Sequence, residues 1–163
     1  MMPPPPVTPG LQPGSLLRYH ADFEATLEEV SRVCSEVHAL ALARGSIDWA
    51  VRLDLGLTEA LTNVIRHGYG PTRRGRITLT CLEAADQWQL TLRDSGIPIP
   101  QALLDQADSA IFDFNPDDLQ NIPEGGMGLI LIRACFEHVK YQTHRHGNCL
   151  LLIKQLDSAV ASD

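Results

Sequence analysis

The stretch Leu57–Gly68, LTEALTNVIRHG, decides how the rest of the chain is read. At about 100° per residue, Glu59, Asn63 and His67, with Arg66 beside them, share one narrow sector of a helix, while Ala60, Leu61, Val64 and Ile65 fall on the other side. Such a split also describes an ordinary amphipathic helix whose polar face meets water. The flanking sequence has to choose between a solvated face and a binding face.

A chain of 163 residues with 44% hydrophobic content suits one domain with its own core. A formal charge of -7 and a pI near 5.3 argue against direct nucleic-acid binding, which needs a basic face to release counterions. Any phosphate ligand must be met by a local device. Cys34, Cys81, Cys135 and Cys149 show no Cys-x-x-Cys spacing and read as reduced, mostly buried thiols of a cytoplasmic protein. No apolar run has the length of a signal peptide or membrane span, so no membrane partner is expected.

Composition divides the chain into three. Residues 1–15, which hold six of the eleven prolines, read as a disordered or polyproline-like arm. Residues 16–156 form the domain, and 157–163 a frayed tail. Within the domain, Leu17, Tyr19, Ala21 and Phe23 alternate with polar residues as in a half-buried strand. Thr26-x-x-Glu29 has the form of a capping box, and apolar positions from Leu27 to Ala41 recur at helical spacing until Arg44-Gly45. Ser46 caps a second helix, which runs through Trp49, Leu53 and Leu57 into the opening stretch and stops at Gly68-Tyr69-Gly70-Pro71.

Two alternating runs, Arg76–Cys81 and Gln87–Leu92, predict an antiparallel hairpin. The second leads into Asp94-Ser-Gly96-Ile-Pro98. A polar, weakly periodic segment from about Gln101 to Pro123 is long for a plain loop and reads as a lid with room for one short helix. Glycines 125, 126 and 128 then open an apolar helix ending near Arg133, and a last hairpin passes through Val139, Tyr141 and Thr143 to Cys149, Leu151 and Ile153. This order is not that of a doubly wound parallel sheet. It predicts an α+β fold: a two-layer sandwich with a mixed, mostly antiparallel sheet and helices on one face.

Three elements carry chemistry. The Asp94 carboxylate can accept a hydrogen bond from an exocyclic amine, while Gly96 lets a flat ring approach the backbone. Glycines ahead of a helix offer free N–H groups and a positive dipole end to phosphate. Each is common alone, as a turn or as tight packing. His144 and His146 read as a solvated turn, and Arg73, Arg74 and Arg76 as a solvated hairpin end.

Their order is more specific. Glu59-x-x-x-Asn63-x-x-Arg66-His67, then Asp94-Ser-Gly96-Ile-Pro98, then Glu124-Gly-Gly-Met-Gly128-Leu129 resemble the N, G1 and G2 boxes of the GHKL superfamily of histidine-kinase-type ATPases. Within it the chain is most similar to the anti-sigma-factor serine/threonine kinases, from about Leu16 to Leu156. The resemblance implies ATP and Mg²⁺ as cofactors, with Asn63 as the metal ligand and Glu59 as the catalytic base or orienting group. It implies that Arg66 faces phosphate, Asp94 binds the adenine amine and Gly96 shapes that pocket. Gly126, Gly128 and Leu129 would belong to the segment that closes on the phosphates. The role of His67 stays open between packing and catalysis. The resemblance further implies a homodimer that phosphorylates a small anti-sigma-factor antagonist and binds a sigma factor in the alternative state. A non-catalytic, ATP-responsive module that sequesters a partner is the rival reading. The lid sequence Phe112–Pro116 matches no pattern of the family.

Overall fold

A computed structural model of the chain describes residues 13–71, 74–110 and 127–157. In chain order the elements are β1 (Leu16–Glu24), α1 (Leu27–Leu42), α2 (Ile47–Asn63), a π-helical turn (Val64–Tyr69), β2 (Arg76–Ala84) and β3 (Gln87–Asp94). They continue with α3 (Gln101–Ala110), α4 (Met127–Cys135), β4 (His138–His144) and β5 (Gly147–Gln155). The strands form one sheet in the order β1-β2-β3-β5-β4, and all four pairings are antiparallel.

Alternation along the strands explains the layers. Ile77, Leu79 and Cys81 on β2, Trp88, Leu90 and Leu92 on β3, and Leu150 and Leu152 on β5 are buried and pack in the core with Val33, Val37, Leu53, Leu57 and Leu61 of the helices. Side chains of this size each contribute about 1.5–3 kcal/mol when removed from water. Trp49 of α2 meets Trp88 of β3 edge to face at 5.3 Å, and its indole N–H donates to the Gln155 carbonyl at 2.6 Å.

Local signals set the helix starts. The Thr26 hydroxyl accepts from the Glu29 N–H at 3.2 Å, and that of Ser46 from the Trp49 N–H at 3.1 Å. Asp157, the first residue of the expected tail, accepts from the Ser46 N–H at 3.2 Å and from its hydroxyl. The two-residue turn between β2 and β3 places Ala85 at φ 53°, the left-handed region that costs a residue with a Cβ. Gly56 lets α4 approach α2, because a Cβ there would lie 2.5 Å from the Phe136 ring and 2.8 Å from Cys135.

Two sequence expectations are corrected. Leu17 does not share the inward face of Tyr19, Ala21 and Phe23. A register shift between Leu17 and Tyr19 rotates the strand, and Leu17 is 63% exposed. The second helix also does not run as a regular α-helix to Gly68. From Val64 it widens into the π turn, and the Gly70 N–H donates to the Ile65 carbonyl five residues back. Residues 1–12 of the expected arm (1–15) and the expected lid from residue 111 onward lie outside the described residues, and α3 occupies the first part of that segment.

Candidate functional site

The widened turn places the polar end of α2 against β3. Gly68 is buried, and its carbonyl accepts the Ile97 N–H at 2.7 Å. Gly96 sits so close beneath it that an added Cβ would lie 2.6 Å from the Gly68 carbonyl carbon and 2.7 Å from its oxygen. The contact therefore requires glycine at position 96, whereas a Cβ on Gly68 would meet nothing nearer than 3.7 Å. The neighbouring Tyr69 ties both strands: its hydroxyl donates to the Arg76 carbonyl at 2.8 Å and accepts the Ser95 N–H at 2.9 Å.

Helix α4 meets the same end of α2 from the other side. A Cβ on Gly128 would lie 3.0 Å from the Asn63 amide nitrogen, 3.1 Å from its oxygen and 3.2 Å from the Glu59 carboxylate. Glu59 and Asn63 therefore lie together over the start of α4. Between this group and Asp94 the fold leaves a cavity of about 550 Å³, within the range of small-molecule clefts. Glu59, Asn63, Arg66, His67, Asp94, Gly128 and Leu129 line one continuous space, shared with apolar walls from Ile97, Leu103 and Leu150. Gly96 lies just behind it, and Gly126 is outside the described residues.

A second depression of about 470 Å³ runs between α1 and α2, past Ser31, Ser35, His38 and Thr58, and it too is lined by Glu59 and Arg66. Glu59 is thus reached from two sides.

The sequence reading missed the supports of this site. Asp94 Oδ1 accepts the Gly96 N–H at 2.9 Å and the side-chain amide of Asn148 at 2.9 Å. The Tyr141 hydroxyl accepts the Ile99 N–H at 3.0 Å and pins the segment after β3. Burial raises the pKa of that hydroxyl and the charge of Asp94 adds to the rise, while the bond from Ile99 opposes it. Strand pairing contained part of this information, since a β3–β5 ladder sets Asp94 opposite Asn148. Of the outlying clusters, Arg76 pairs with Asp22 at 2.6 Å and Arg73 lies outside the described residues, while the His144–His146 turn abuts the end of β3, where the Ser95 hydroxyl donates to the His146 carbonyl at 3.4 Å.

The donor set suits a magnesium nucleotide. The uncharged amide oxygen of Asn63 is a hard oxygen ligand of the kind Mg²⁺ takes, phosphates would complete the coordination, and the Glu59 carboxylate stands one turn away beside it. Among the described residues no cluster of three His, Cys, Asp or Glu side chains forms a self-sufficient metal site. The absence of a Cβ at Gly128 leaves the two oxygens uncovered.

Helices over one antiparallel sheet, with a cleft between a helix end, a strand end and a glycine-led helix, define a GHKL-type ATPase domain. The chain belongs to the histidine kinase-like ATPase domain family, whose model matches residues 23–154. It is 24% identical to the anti-sigma F factor of Geobacillus kaustophilus over 137 residues, 83% of this chain and 90% of that protein. It is 25% identical to the serine-protein kinase RsbW of Bacillus subtilis over 93 residues, 56% of each chain. Among solved structures, the fold matches the catalytic domain of the histidine kinase ThkA with a TM-score of 0.51 at 16% identity, covering 85% of this chain and 96% of that one. It matches the RsbU and RsbW domains of a Mycobacterium tuberculosis protein with a TM-score of 0.54 at 13% identity, covering 87% of this chain and 32% of that one. No helix among the described residues is long and apolar enough to cross a membrane.

Proposed function

We propose that the chain is an ATP-dependent serine/threonine protein kinase of the anti-sigma regulatory type, which phosphorylates a small antagonist protein and binds a sigma factor or similar signalling protein in the alternative state. The observation that carries this reading is the position of Glu59, which lines both the nucleotide-sized cavity and the groove between α1 and α2. Nucleotide would occupy the first and the acceptor hydroxyl would arrive along the second. The names of the anti-sigma F and RsbW relatives support the same class.

In this reading Asp94 accepts the exocyclic amine of adenine, and Arg66 stands by the phosphates. Asn63 would hold Mg²⁺, which when bound supplies charge neutralisation to the phosphate oxygens. Glu59 aligns the serine or threonine hydroxyl and takes its proton. The hydroxyl oxygen forms a bond to the γ-phosphorus as the bond from that phosphorus to the β–γ bridging oxygen breaks, and ADP leaves. Positioning and charge stabilisation contribute most of the rate. A homodimer through the sheet edge, where Leu16 and Leu17 are 56% and 63% exposed, is part of the same proposal.

The test uses labelled ATP with Mg²⁺ and a panel of purified antagonist domains. Glu59→Ala should keep most nucleotide binding and lose roughly 10² to 10⁴ in transfer. Equal rates in both proteins remove Glu59 from the mechanism. Nucleotide-dependent partner capture without any transfer would instead make the chain a non-catalytic regulatory module.

A further inference from the structure

Asp94 is not free to turn. Its Oδ1 accepts two hydrogen bonds, from the Gly96 N–H and from Asn148 Nδ2, while Oδ2 accepts none among the described residues. Asn148 is only 5% exposed, and its Nδ2 also donates to the Gly96 carbonyl at 2.9 Å. Both hydrogens of this amide are therefore committed, one to the carboxylate and one to the loop behind it. Because both partners are acceptors, the nitrogen and not the oxygen of the amide must face them. Position 148 demands a neutral group with two donors.

We propose that Asn148 is a positioning residue that sets base selectivity: by engaging Asp94 Oδ1 it leaves Oδ2 as the single acceptor offered to the ligand. That arrangement matches a base with an exocyclic amine, as in adenine, and opposes the O6 acceptor of guanine. The inference rests on the nucleotide reading above and extends it to a residue behind the cavity. Asn148 touches no ligand in this account and acts through Asp94.

Replacing the amide by an isosteric acid gives a specific signature. Asn148→Asp sets a second carboxylate against Asp94 and the Gly96 carbonyl, an all-acceptor cluster that holds together only with a shared proton. Acid should restore the missing donor. Other titratable or charged groups close by are His67, Arg93, Tyr141 and Cys149, with His144, Arg145 and His146 in the β4–β5 turn. All are common to both proteins, so the ratio of variant to wild-type affinity isolates position 148.

The experiment titrates ATP and GTP, each with Mg²⁺, into the wild type, Asn148→Ala and Asn148→Asp between about pH 5.5 and 8, the range over which a carboxylate pair can exchange its shared proton. Circular dichroism checks folding, and Asn148→Ser replaces either variant that does not fold. Wild type should prefer ATP, and Asn148→Ala should lose about ten-fold in ATP affinity with little change for GTP. Asn148→Asp should bind ATP weakly at the alkaline end and approach wild type as pH falls. An unchanged ATP-to-GTP ratio in Asn148→Ala, or a pH-independent ratio for Asn148→Asp, overturns the role of Asn148 alone. Failure of the wild type to bind ATP overturns the nucleotide reading and this inference together.

Discussion

Gly128→Ala separates the site from the scaffold. Its added Cβ would lie 3.0 Å from Asn63 Nδ2, 3.1 Å from Asn63 Oδ1 and 3.2 Å from Glu59 Oε2, so these groups must give by a few tenths of an ångström. All three atoms belong to side chains of the candidate site, and the nearest contacts include no backbone. A misplacement of about 1 Å in such a constellation costs roughly 10²-fold, so a few tenths corresponds to about three- to ten-fold in transfer rate. Stability should move the other way or not at all. Alanine in a helix is favoured over glycine by about 0.5–1 kcal/mol, and Gly128 lies in the first turn of α4, where the gain is smaller. Thermal melting monitored by circular dichroism, run beside a nucleotide titration and a labelled-phosphate assay, reads both quantities. The expected result is an unchanged or slightly higher Tm with weakened ATP binding or slowed transfer. A lowered Tm with wild-type affinity and rate would refute the reasoning, because the contact would then serve only the packing of α4.

Other perturbations test the surroundings. Gly96→Ala should behave oppositely to Gly128→Ala: its Cβ meets backbone atoms of Gly68 that cannot rotate away, so about 1–3 kcal/mol and the Ile97–Gly68 hydrogen bond are lost. An unchanged Tm would contradict that packing. Burial works to raise the pKa of Glu83, yet Arg44 at 2.6 Å and Arg18 outweigh it and hold the carboxyl below its usual range. The folded-state pKa is depressed, so this stabilisation is present above the unfolded pKa and is lost as pH falls through the folded value. Glu83→Gln should lose about 1–3 kcal/mol at neutral pH, and the gap to wild type should close in acid denaturation series; a gap constant with pH would oppose the ion-pair assignment. Burial also pushes the Cys81 thiol up to about 12, so alkylation near neutral pH should spare it until urea unfolds the chain. Rapid labelling of the native protein would place that strand face in solvent.

Much of the architecture was legible because period and punctuation agree. Thr26 and Ser46 announce their helices, and the alternation from Arg76 to Leu92 yields a hairpin whose inward face is the core. The three motif segments were legible as candidates, and their convergence on one cavity needed the fold. Leu17 was misread because a single bulge inverts a strand's facing without changing its composition. The π turn was missed because Val64–Tyr69 retains a helical pattern, while the Gly68–Gly96 contact that accompanies the wider turn joins distant residues. Asn148 escaped notice for a similar reason. An asparagine near the start of a strand looks like turn chemistry until the β3–β5 register sets it against Asp94.

The central claim is that one cavity joins the end of α2, the end of β3 and the start of α4 into a site for a magnesium nucleotide. Calorimetric titration of ATP with Mg²⁺ into wild type, Asn63→Ala and Asp94→Ala tests it most directly. The account predicts saturable binding to wild type, weakened roughly ten- to hundred-fold by Asp94→Ala through loss of a charged hydrogen bond, and a weakened magnesium dependence in Asn63→Ala. Absence of binding to the wild type, or equal affinity in all three proteins, would contradict it.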